Sequence, residues 1–148
     1  MIPEKSALVV LAAALGVGVG VGAYTFVYAK GYSYVSNAPQ VCANCHIMNK
    51  EHDGWVKSTH HAAAVCNDCH TPEGIVGKYA TKGLNGFWHS FYFTTGTYPD
   101  NIQIRKRNLA IAQANCRRCH GDIVHAVDSR QPKAQALDCL RCHSEVGH

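Results

Sequence analysis

Hydrophobic positions are spread unevenly along the 148-residue chain. Ser6 to Ala29 form one uncharged run, apolar on every side rather than along a stripe. A helix rising about 1.5 Å per residue over that length crosses a hydrocarbon core of about 30 Å. The pattern predicts an amino-terminal tail and transmembrane anchor over residues 1–29 and a separate domain over 30–148. A cleaved signal peptide is the alternative, with Val27 and Ala29 at small-residue cleavage positions before Lys30. The run is longer than a typical signal core and its leading tail is very short, which favours a retained anchor. Tyr24, Tyr28, Tyr32 and Tyr34 gather at its outer end, as an interfacial aromatic belt does. Lys5 and the amino terminus favour a cytoplasmic start, so the larger domain falls on the other side. Gly16, Gly18, Gly20 and Gly22 alternate within the run; they suit either close packing on another helix or a glycine-tolerant membrane helix.

Beyond Lys30 the pattern is broken and polar, and two stretches keep helical spacing. Pro72 and Gly74 mark a turn, and Ile75 to Phe93 then reads as a helix. Lys78, Lys82, Asn85 and His89 lie on one face of it. Tyr79, Phe87, Trp88, Phe91, Tyr92 and Phe93 supply aromatic bulk, which fits a segment at a membrane surface or packing on a flat group. Asn101 to Ala114 predicts a second helix, with Arg105, Lys106 and Arg107 expected to be solvated or paired with anionic groups. Gly121 to Leu137 is polar and carries no motif. The expected class is mainly α with much irregular structure: a single amino-terminal transmembrane helix followed by one compact domain.

The cysteines change this picture. All eight fall in four C-x-x-C-H motifs: Cys42/Cys45-His46, Cys66/Cys69-His70, Cys116/Cys119-His120 and Cys139/Cys142-His143. This is the attachment signature of c-type haem: two thiols form thioethers to one porphyrin, and the next histidine stands beneath its iron. A disulfide framework does not explain the histidine after every second cysteine, and zinc sites do not require it. Four covalent haems in one domain would form most of its core and leave the polypeptide loop-rich. Their attachment outside the cytoplasm points to a bacterial periplasm. The formal charge of +4 does not indicate nucleic acid, because four haems add about eight propionate charges.

The motifs begin at 42, 66, 116 and 139, two close pairs separated by a long insert. Haems so close along the chain pass electrons to one another. Eight axial positions need ligands, and beyond the motif histidines the candidates are His52, His60, His61, His89, His125, His148 and Met48, whose thioether also binds haem iron. His148 follows His143 too closely to cap the opposite side of the same haem, so it would serve another. His60 and His61 point in different directions, and at most one reaches a given iron.

The first motif extends to Cys42-Ala43-Asn44-Cys45-His46-Ile47-Met48-Asn49. With the single anchor and three further C-x-x-C-H motifs, it resembles the NapC/NirT family of membrane-anchored quinol dehydrogenases. The short length is similar to the family members that serve a periplasmic multihaem nitrite reductase catalytic subunit. The resemblance implies that Met48 replaces His46 as ligand of the first haem. It implies that His60, in Ser58-Thr59-His60, is a distal ligand, and His148 another. It places Lys82 at a quinol pocket and His89 where some relatives carry an acidic residue beside the first haem. The implied activity is oxidation of menaquinol at the membrane, with electrons passing through four haems to the partner. Protons would go to a group titrating near neutrality, a role that suits His89. The alternative is a membrane-tethered carrier with no quinol site of its own. With Met48, His70, His120 and His143 proximal and His60 and His148 distal, one position stays open on the first haem and one on the fourth.

Overall fold

A computed structural model describes residues 4–129 and 137–148. Among these residues there is no strand. The chain forms two compact units, the first running through Ser33 and the second from Tyr34 to His148.

The first unit is built on α1, Glu4–Tyr28, a 25-residue helix with no buried residue. Its length gives a span of about 37 Å. Uniform apolar cover with one acidic residue in the first turn is what a helix solvated by lipid on all sides requires.

The second unit is a series of short helices and turns. Tight turns at Pro39–Asn44 and His46–Met48 carry the first motif into α2, Asn49–Lys57. A turn at Thr59–Ala62 leads to α3, Cys66–His70, which is the second motif itself. The Asp68 carboxylate accepts the Val65 N–H at 2.9 Å and so caps α3 at its start. The long helix α4 runs from Ile75 to Thr95, two residues beyond its expected end. Gly74 before it has φ 83°, and Gly96 after it has φ 65°. The Gly96 N–H bonds the Phe93 carbonyl and the Thr97 N–H the Tyr92 carbonyl, a Schellman stop that only a left-handed residue permits. Next comes α5, Lys106–Cys119, which starts later than expected and continues through the third motif. Its charged residues are good helix formers, so nothing halts it before Cys119. The last described elements are α6, Gly121–Asp128, and α7, Cys139–Cys142. The polar stretch read without a motif therefore holds a helix in its first half; residues 130–136 of it lie outside the described residues.

The seam of this unit is α3 against α5. Asn115, 7% exposed, donates to the carbonyls of Cys69 and Thr71, both at 2.9 Å. Arg118 donates to the Asp68 carbonyl at 3.1 Å and pairs with Glu73 at 3.1 Å. Among the described residues Ala112 is the only buried apolar side chain. A polypeptide of this size ordinarily stabilises itself by burying aliphatic groups. Here that role falls to something other than side chains.

Candidate functional site

The four motifs follow one another in space as they do in sequence. The thiols of Cys42 and Cys66 are neighbours, and their interaction lowers the pKa of Cys42 and raises that of Cys66. Burial raises the Cys69 thiol, and Cys116 beside it raises it further. Cys116 is raised by burial and then by Cys139. Motif one thus neighbours two, two neighbours three, and three neighbours four. Arg117 gathers the last pair: its guanidinium donates to the Leu137 carbonyl at 2.8 Å and to the Cys139 sulfur at 3.3 Å. Gln113 on α5 bonds the Asp138 carboxylate and accepts the Cys139 N–H at 3.1 Å.

Two pairs of histidines meet across long stretches of sequence. The rings of His70 and His148 have centroids 6.0 Å apart, and so do those of His60 and His120. Two metal–imidazole bonds of about 2 Å each, plus about 1.1 Å from each nitrogen to its ring centre, sum to about 6 Å. In each pair one histidine has Nδ1 engaged. His148 Nδ1 lies 2.5 Å from the Glu51 carboxylate, and His60 Nδ1 donates to the Val146 carbonyl at 2.8 Å. Such bonds fix the tautomer and leave Nε2 as the available nitrogen, the usual arrangement around a metal-bound imidazole. His61 packs instead edge-on against Trp55, centroids 4.5 Å apart. His125 lies exposed on α6.

These arrangements fit covalent haem. None of the eight cysteines is in a disulfide. Two histidine pairs have the separation that brackets an iron. Nε2 of His52 is buried and finds no partner among the described residues, which suits a propionate oxygen from a bound group. The missing aliphatic core has the same explanation.

A second cluster flanks the first motif. Lys82 on α4 is 7% exposed; its Nζ donates to the Ser36 carbonyl at 2.5 Å and to Asn37 Oδ1 at 3.2 Å. Burial lowers its pKa, Lys78 lowers it further, and nearby Cys42 opposes the shift. Asn37 Oδ1 also accepts from Asn67 at 3.1 Å, tying this loop to the second motif. One face of α4 was expected to present Lys78, Lys82, Asn85 and His89 together. The structure divides their tasks: Asn85 accepts from Asn108 at 3.1 Å, while Lys82 and His89 turn toward the segment before the first motif.

Tyr34 has a contact that sequence reasoning missed. It was grouped with the interfacial tyrosines, yet its hydroxyl sits 3.0 Å from His89 Nδ1. Its ring lies on α4 at Gly86, where a Cβ would come within 3.3 Å of it. Burial, then Cys45 and Cys42, push its pKa up to about 12, so it remains a neutral hydroxyl. Partial burial, then Arg105, lower the pKa of His89. Arg105 lies 4.7 Å over Trp88 and donates to the Tyr92 hydroxyl at 2.8 Å, and Arg107 donates to buried Thr81 at 3.0 Å. Both arginines, expected to be solvated or paired with anions, are held by α4.

The profile of the NapC/NirT cytochrome c family, N-terminal region, matches residues 4–148. The cytochrome c-type protein NrfH of Wolinella succinogenes is 36% identical, over 97% of this chain and 84% of that protein. The cytochrome c nitrite reductase subunit NrfH of Nitratidesulfovibrio vulgaris is 33% identical, over 99% of this chain and 86% of that protein. Among solved structures, a chain of the cytochrome c nitrite reductase NrfHA complex bound to the HQNO inhibitor superposes with a TM-score of 0.63. It is 30% identical and covers 94% of this chain and 88% of its own. With its four attachment motifs, its apolar amino-terminal helix and this match from Glu4 to His148, the chain belongs to the NapC/NirT cytochrome c family.

Proposed function

We propose that this protein is the quinol-oxidising, membrane-anchored electron-transfer subunit of a respiratory nitrite reductase, taking electrons from menaquinol. Residues 1–29 are its tail and single-pass anchor in the bacterial cytoplasmic membrane, and residues 30–148 form the periplasmic domain. The partner is the periplasmic multihaem nitrite reductase catalytic subunit; the solved relative belongs to a cytochrome c nitrite reductase complex. Four haems, one on each cysteine pair, supply one-electron redox centres when bound. Met48, His70, His120 and His143 would each hold one haem iron, and the two ring separations support His148 sharing one with His70 and His60 sharing one with His120.

The observation that carries the quinol reading is the convergence of Lys82, Tyr34 and His89 on the first motif. Quinol oxidation releases two electrons and two protons, so the site needs a donor for the substrate oxygen and an acceptor for protons. Lys82 has two of its three N–H groups bound to Ser36 and Asn37, and the third is available to a quinol oxygen. With Nδ1–H donating to the Tyr34 oxygen, His89 presents Nε2 as a base. A lowered pKa keeps that base neutral at the pH where it must work, and its exposure lets it hand each proton to solvent.

The test is to mix the purified full-length protein in detergent with a reduced menaquinone analogue and follow the haem absorption band. Reduction within the mixing experiment is expected. A protein that dithionite reduces but the quinol does not is a tethered carrier without a quinol site.

A further inference from the structure

We propose that Glu51, with Gly54 one turn further along α2, is a positioning residue for His148 and holds down the reduction potential of the haem attached at Cys66 and Cys69. The proposal rests on the haem reading above and is independent of the quinol reading.

Three observations converge on α2. The Glu51 carboxylate lies 2.5 Å from His148 Nδ1 across nearly a hundred residues of sequence. Both side chains are partly shielded, 27% and 40% exposed, so water screens the contact less than at an open surface. A Cβ on residue 54 would stand 2.8 Å from the carbonyl carbon and 2.9 Å from the Cα of His148. Glycine at this position is therefore what lets the backbone of the Val146–His148 segment lie directly on the helix. The same segment supplies the Val146 carbonyl that orients His60 at 2.8 Å. One helix thus seats one tail, and that tail sets the second ligand on two haems. A surface ion pair alone would not need the missing Cβ, nor would it place His148 at 6.0 Å from His70.

The chemistry follows from charge. A carboxylate accepting Nδ1–H makes the imidazole a stronger donor through Nε2. Adding one electron takes the iron from ferric to ferrous and removes one positive charge from the centre. A negative group hydrogen-bonded to the ligand favours the ferric form and lowers the potential. Removing that charge while keeping an acceptor in place reverses the effect.

Glu51→Gln in the full-length holoprotein tests this by optical redox titration together with electron paramagnetic resonance. The expected result is four covalent haems, retained low-spin signals, and one midpoint of the four moved upward. Glu51→Asp, which keeps the charge, should return that midpoint toward the wild-type value; a purely structural role for Glu51 would not separate these two variants. Gly54→Ala pushes the His148 backbone off α2 and should raise the same midpoint or replace a low-spin signal with a high-spin one. That variant also stands in if Glu51→Gln does not accumulate. All four midpoints unmoved in Glu51→Gln, or unmoved in Gly54→Ala with its low-spin signals intact, overturns the proposal. His148→Ala is the control: if it leaves every low-spin signal in place, His148 is not a ligand and the proposal falls with it.

Discussion

Replacing Lys82 by methionine isolates the contribution of its ammonium group. Methionine keeps an unbranched chain of similar reach through the buried part of the site, where Lys82 is 7% exposed. Two consequences separate. The Ser36 carbonyl and Asn37 Oδ1 lose a shared donor, at a cost of about 1–3 kcal/mol in stability if they remain dry. The quinol loses one charge-assisted hydrogen bond, about 1.5–3 kcal/mol. At about 1.4 kcal/mol per tenfold, that second loss lowers kcat/KM for quinol by about 10- to 150-fold. Stopped-flow reduction by a menaquinol analogue measures it, with dithionite reduction as the internal control that the haems remain attached and accessible. Lys82→Arg keeps a cation and should recover part of the rate. Reduction by quinol within about threefold of wild type in Lys82→Met, at unchanged dithionite rate, would refute the assignment of Lys82 to the substrate, since the expected loss begins near tenfold.

Four further outcomes are expected. On the proposal that neutral His89 is the base, its lowered pKa means that the quinol oxidation rate should hold as pH falls through the ordinary histidine value of about 6.5 and decline only below it; Arg105→Gln, which removes a charge depressing that pKa, should move the acid limb upward, and a limb unmoved by the substitution contradicts that role for Arg105. The same depressed pKa contributes stability that is present above the unfolded value and lost as pH falls through the folded one. Intact mass of the denatured protein should equal the chain plus four haems with α1 retained; fewer haems, or zinc, contradicts the motif reading. Electron paramagnetic resonance of the isolated subunit should show high-spin iron from two haems, those of Met48 and His143, with one turning low-spin when the reductase binds; four low-spin haems in isolation would bring His89 or His125 into the ligand set. Asn115→Ala severs both ties between α5 and the second motif and should destabilise the domain by about 1–3 kcal/mol in urea titration, a loss under 0.5 kcal/mol being incompatible with its burial.

Features that depend on local composition could be read from the chain. The anchor was legible because Ser6–Ala29 is apolar on every side, and α1 runs from Glu4 to Tyr28. The insert helix was legible because Pro72 and Gly74 mark a turn before a periodic run; its end was misjudged by two residues because the aromatic pattern stops at Phe93 while the Schellman turn at Gly96 lies beyond. The start of α5 was less legible, since nothing in Asn101–Arg105 marks it as extended rather than helical. A scarce aliphatic core is what counting haems against residues leads one to expect, and among the described residues Ala112 is the single buried apolar side chain.

Features that depend on pairing across the chain were not legible, and the histidines show why. The sequence limits His148 to some haem other than its neighbour, but only folding brings it to His70, because Gly54 opens α2 to the tail and Glu51 holds the ring. His60 and His61 are equivalent by spacing; what separates them is the Val146 carbonyl on one side and Trp55 on the other, both distant in sequence or in role. Tyr34 belonged by composition to a belt of tyrosines, and a single glycine one helix away, Gly86, redirects it to His89. In each case the deciding residue is a small one or a backbone carbonyl, which carries no chemical signature of its own. A sequence read for reactive side chains offers candidate ligands and a candidate base, whereas the groups that would aim them appear only when the backbone is in place.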